Sequence, residues 1–144
     1  MSGRALRTGL LAGFLMNVFG WLGNQLVLGG LWSVAIAESP FAHARTRTIW
    51  HELGSLAPDF VYGIALTALY LVMANAWRPG RRTAYAAATG LWAVAIATPL
   101  LGTANSALIP WRLAALTVFL ALLIMIPVSE VIWRRHPSAG SATT

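Results

Sequence analysis

Charged residues leave long tracts of this sequence empty. None occurs from Thr8 to Ala37, from Phe60 to Trp77 or from Thr83 to Trp111, and between Arg112 and Arg134 only Glu130 interrupts. A helix crossing the hydrocarbon core of a bilayer needs about 20 predominantly apolar residues, and each tract can hold one. The spacing predicts helices over about 8–31, 58–77, 83–103 and 111–133. Composition closes the alternatives. Of 144 residues, 58% are hydrophobic and 10% charged, whereas soluble domains carry about 25% charged residues. So few charges cannot coat a water-soluble surface. That excludes an ordinary soluble enzyme, a disordered chain and a nucleic-acid module. The expected fold is an all-α membrane protein, a four-helix antiparallel up-down-up-down transmembrane bundle forming one domain over residues 1–144.

The basic residues set the expected orientation. The net charge of +6 comes from arginine alone, with no lysine. Arg4, Arg7, Arg78, Arg81, Arg82, Arg134 and Arg135 fall on one side of the predicted spans. Arg45, Arg47 and Arg112 fall on the other, diluted by Glu38 and Glu52. The positive-inside rule then places both termini in the cytoplasm, with the chain a multi-pass protein of the inner (plasma) membrane. The even span count agrees independently. A secretory signal ending at Ala35-Ile36-Ala37 is the competing reading of the N-terminus. Its apolar run exceeds the usual 7–15 residues, and Asn17, Asn24 and Gln25 interrupt it. No cysteine is present, so disulfides and thiolate chemistry are excluded.

Local signals punctuate the spans. Gly29 and Gly30 are expected to end or loosen the first helix near Leu31. Pro58 suits the first turn of the second, and Pro79-Gly80 stops it. The connection over about 33–57 carries Phe41, Trp50 and Leu53 among arginines and is expected to lie on the outer bilayer surface. The Ser/Ala/Thr tail, 137–144, is expected to be disordered.

Lipid tails are as apolar as leucine, so close packing and interhelical hydrogen bonds must hold such helices together. Candidate packing stripes recur at helical spacing: Gly13, Asn17, Gly20 and Asn24 in the first helix, and Asp59, Gly63, Thr67, Tyr70 and Ala74 in the second. Ala86, Gly90, Ala93 and Ala97 form the third, and Ala114, Thr117 and Ala121 a weaker fourth. The glycines expected at helix contacts are Gly13, Gly20, Gly63 and Gly90.

The same stripes carry the candidate polar interior: Asn17, Asn24, Asp59 and Tyr70. Each amide either glues helices together or lines a path for a solute, water or lipid headgroup. Asp59 either complements a helix N-terminus or is a functional membrane acid, with Arg45, Arg47 or Arg112 as its expected counter-charge. Glu130 and Arg134 have the spacing of an interfacial ion pair. His51-Glu52 opens like a zinc-protease signature, but Ser55 stands where the second histidine belongs. His43 and His51, eight apart, make a weak metal pair. No catalytic set, metal site or cofactor is expected.

Three stretches carry a resemblance. They are Gly9-Leu-Leu-Ala-Gly-Phe-Leu-Met-Asn17 continuing to Asn24-Gln-Leu-Val-Leu and Trp32, Phe60-Val-Tyr-Gly-Ile-Ala-Leu-Thr-Ala-Leu-Tyr70, and Arg78-Pro-Gly-Arg-Arg-Thr-Ala84 with Gly90-Leu-Trp92. Together they resemble a family of small, uncharacterised bacterial four-helix integral membrane proteins, departing from it at Pro127-Val-Ser-Glu130. The resemblance implies fold and inner-membrane location, and no activity. Three functions stay open: a non-enzymatic accessory or lipid-contacting component, a small oligomeric transporter or channel subunit using Asn17, Asn24 and Asp59, and a membrane enzyme at the outer headgroup level using His51, Glu52 and Asp59. The expected partners are the lipid bilayer and either further copies of the chain or a larger membrane complex, with no nucleic acid.

Overall fold

The computed structural model describes residues 2–38 and 49–136, with the backbone alone at 36, 49–53 and 55. Among them every regular element is helical. Helix α1 (Gly3–Gly23) passes through a π-helical segment, Asn24–Leu28, into α2 (Gly29–Ala37). Next come α3 (Ile49–Ala76), α4 (Arg81–Trp92), a second π segment (Ala93–Ala97) leading into α5 (Thr98–Asn105), and α6 (Trp111–Arg135). Four stretches are long and apolar enough to cross a membrane: Gly3–Ala35, Leu56–Ala76, Arg81–Asn105 and Trp111–Arg135.

The ends differ from the sequence expectation for identifiable reasons. Ser2 caps α1 through the Ala5 N–H, so the helix starts at Gly3 rather than near residue 8. Gly29-Gly30 does not end the first span. The backbone loosens into the π segment just before the pair, then continues to Ala37. Pro58 lies inside α3, which begins at Ile49. The expected connection over 33–57 is therefore helical at both edges, while Phe41 and the tail 137–144 lie outside the described residues. The second π segment has a clear cause. Pro99 lacks an N–H and crowds the turn before it, and the Thr98 N–H and hydroxyl both reach back to the Ala93 carbonyl.

The spans form a closed bundle in which α1 packs on α3, α3 on α4, α4 on α6, and α6 back on α1. The α1–α3 contact is the most extensive. There Gly9 and Gly13, four apart, receive Gly63. A Cβ on Gly13 would stand 2.5 Å from the Phe60 Cα, and one on Gly63 would stand 2.7 Å from the Gly13 Cα. Only bare backbone lets the helices approach this closely. At Gly23 the neighbour is the movable end of the Leu120 side chain of α6 rather than backbone. Ala12, Met16, Leu66, Tyr70, Ala84, Ala87, Met125 and Val128 fill the core between the spans.

The expected stripe in the third span holds at Ala97, which is buried, and is corrected at its first two positions. Gly90 and Ala86 are exposed, and a Cβ on Gly90 would meet nothing within 4 Å. The buried face is Thr83, Ala84, Ala87 and Ala88 instead. Much of each span stays uncovered by the chain itself, including Leu26 at 80% and Val94 at 74% exposure.

Candidate functional site

A cleft of about 380 Å³ opens between all four spans. Gly20 and Asn24 contribute from the first span, Asp59 and Tyr62 from α3, Ile96 from the second π segment, and Thr117, Ala121 and Met125 from α6. Most of its wall is apolar. Three features make room for it. Gly20 has no side chain and open space where a Cβ would stand. Both π segments border it, through Asn24 and Leu28 on one side and Ile96 on the other. Such widened turns recur at functional sites because they redirect side chains. Met16 and Met125, both buried, close its floor onto the core.

The expected polar interior is divided rather than continuous. Asn24 and Asp59 line the cleft. Asn17 does not. Its side-chain amide donates to the Gly13 carbonyl at 3.1 Å and across to the Leu56 carbonyl of α3 at 3.2 Å, so it ties two helices together. Tyr70 is buried in the core, and its hydroxyl donates to the His136 carbonyl at 3.3 Å. Gly13 and Gly63 sit at the α1–α3 contact, Gly20 at the cleft and Gly90 on the outer surface.

Asp59 is not in the first turn of its helix. Ile49 begins α3 ten residues earlier, so the helix terminus is too distant to account for the carboxylate. Among the described residues Asp59 forms no ion pair; the pairs there are Arg81–Glu130 and Arg134–Glu130. Arg45, Arg47 and His43 lie outside the described residues, as do the side chains of His51 and Glu52. The described residues contain no cluster able to hold a metal ion.

A second polar cluster joins α4 and α6. Glu130 is no simple interfacial partner of Arg134. Its side chain is only 16% exposed and reaches α4, where Arg81 pairs with Oε1 and the Tyr85 hydroxyl donates to the same oxygen at 2.5 Å. Arg81 also donates to the Tyr85 hydroxyl at 2.9 Å. Arg134 stands 3.8 Å from Oε2. The sequence signals for this cluster are an acid in an apolar tract and its i,i+4 spacing to Arg134; nothing local points to Arg81 or Tyr85.

His136 ends α6 in the same region. Burial, with the Arg4 charge adding to it, holds its imidazole below the usual range, and Nε2 is buried without a hydrogen-bond partner. The folded state therefore takes up this proton less readily than the unfolded chain. Stability falls as pH drops through the ordinary imidazole value of 6.5. The apparent melting temperature in detergent should be lower at about pH 5.5 than at about pH 7.5. That difference should shrink in His136→Gln; an equal difference in the variant would assign it to other groups.

No family model, curated protein or solved structure matches the chain at a significant level. The class rests on the helices themselves, four of them long and apolar enough to span a membrane.

Proposed function

We propose that the chain is a multi-pass protein of the plasma membrane, its spans antiparallel and both termini cytoplasmic. It acts there as a non-enzymatic, lipid-contacting component that holds an amphipathic molecule in its outer-leaflet cleft. Antiparallel packing is supported by the order of contacts, since Gly9 faces Ile64 while Gly13 faces Phe60. The arginine bias supports the orientation. The apolar surface left uncovered on every span suits contact with acyl chains.

The cleft carries the functional reading. Its volume falls within the range of small-molecule sites, and an apolar wall with a few polar groups is their usual make-up. Asn24, Asp59 and Thr117 would meet the polar head, and Leu28, Leu120 and Ile124 the apolar body. Binding is favoured over conduction because the packed core lies beneath the cleft and Asn17 is engaged by two carbonyls.

Gly20→Phe tests this. A Cβ at Gly20 meets nothing within 4 Å, so the new ring is expected to occupy the cleft, whereas Gly20→Ala leaves most of it open. Solvent extraction of the purified protein followed by mass spectrometry should find a lipophilic molecule retained by the wild type and Gly20→Ala. Gly20→Phe should retain it about tenfold less. Equal retention by all three would overturn the reading.

A further inference from the structure

The opposite end of the bundle carries a different surface. Asn24 in the cleft and Arg4 are about 30 Å apart along the first span. Near Arg4, the turn between α3 and α4 gathers Arg78, Arg81 and Arg82 around a depression of about 510 Å³. Trp77, 65% exposed, stands at its rim, as amphipathic aromatics do at a membrane–water boundary. The nearby acid, Glu130, is already engaged by Arg81 and Tyr85. Among the described residues the charges of Arg78 and Arg82 have no acidic partner.

A second hollow lies farther along α4, its lining starting at Tyr85, three residues past Arg82. Between α4 and α6 an apolar groove of about 360 Å³ is lined by Tyr85, Ala88, Thr89, Leu122 and Ile126. Tyr85 joins the two, since it lines the groove while its hydroxyl and ring face hold Arg81. One end therefore offers charge-assisted donors and the other an apolar channel along two helices. An anion alone would leave the groove empty, and a neutral chain alone would leave the arginines without a counter-charge.

We propose that the Arg78–Arg82 turn and the α4–α6 groove together bind one anionic phospholipid. Its phosphate lies between the guanidinium groups of Arg78 and Arg82, and one acyl chain lies along Thr89 and Ile126. Arginine suits this role because its planar fork matches phosphate oxygens. The inference rests on the membrane reading above, but not on the occupant of the outer cleft.

Native mass spectrometry of the full chain, given equal amounts of phosphatidylglycerol and phosphatidylcholine with matched chains, tests it. The wild type should retain the anionic lipid about tenfold over the zwitterionic one. Arg78→Gln with Arg82→Gln should remove that preference, and the corresponding pair of lysine variants should restore most of it. Thr89→Phe, at an exposed position, should lower retention of phosphatidylglycerol while the arginines remain. Glycerol 3-phosphate and inorganic phosphate should not displace the lipid. Gly20→Phe, which fills the other cleft, should leave the preference unchanged. Equal retention of both lipids by the wild type, or a preference insensitive to the glutamine pair, would overturn the proposal. So would displacement by either soluble phosphate, which would assign the arginines to a free anion. Unchanged helical circular dichroism in each variant separates loss of binding from loss of fold.

Discussion

Gly63→Leu is expected to leave no folded bundle, and Gly63→Ala to cost about 3 kcal/mol, the upper part of the usual over-packing range. A Cβ at Gly63 meets backbone of Gly9 and Gly13 rather than the end of a movable side chain. The two helices would have to separate, and α1–α3 is the most extensive contact in the molecule. In lipid no water-driven collapse compensates for lost packing. Gly90→Ala makes the contrast. Its Cβ meets nothing within 4 Å, and alanine is favoured over glycine in a helix by about 1 kcal/mol. Apparent melting temperatures and the monodisperse fraction after detergent extraction should therefore rank Gly90→Ala at or above the wild type, then Gly63→Ala, with Gly63→Leu lost to aggregation. Equal tolerance of alanine at positions 63 and 90 would mean that the glycine contact does not hold the bundle together.

The number of spans was legible because a charge is costly in hydrocarbon and the chain confines nearly all of its charges to the ends of four tracts. The start of α3 was not. Proline at position 58 fits a first helical turn by its missing N–H, but transmembrane helices also accept proline internally when neighbours satisfy the freed groups. The carbonyl that Pro58 frees is that of Gly54, four residues earlier; the Asn17 amide donates to the Leu56 carbonyl in the same stretch and ties α1 to α3 there. The stripes on the first and second spans pointed inward because glycine and polar groups coincide there at one helical phase. In the third span alanines occupy positions 84, 86, 87, 88, 93, 95, 97 and 104, so small residues lie on every face and none is singled out. Asn24 and Asp59 were visible as candidates, but the cleft they share was not. It is a volume left between four helices by Gly20 and two widened turns, and no local pattern encodes it. Tyr85 and Glu130 meet from separate helices, 45 residues apart, which leaves the sequence with an isolated acid and an isolated phenol.

That meeting sets an asymmetry between its two charged members. Glu130 is 16% exposed and Arg81 is 62% exposed. Removing the acid leaves a guanidinium that can turn into water. Removing the guanidinium leaves a carboxylate in a largely apolar site, with Tyr85 as its remaining donor and Arg134 3.8 Å from the other oxygen. A largely buried charge that loses its strongest partner is the costlier remnant of a broken pair. Arg81→Gln should therefore lower the apparent melting temperature by about 5 °C or more, and Glu130→Gln by less. Tyr85→Phe should fall between them, because it withdraws one hydrogen bond from the carboxylate but keeps the arginine. The decisive measurement is the double variant. Adding Glu130→Gln to Arg81→Gln removes the stranded charge, so the pair should melt above Arg81→Gln alone. A double variant that melts below both single variants, or an Arg81→Gln no worse than Glu130→Gln, would show that the carboxylate keeps its hydration and that the contact between α4 and α6 does not depend on this pair.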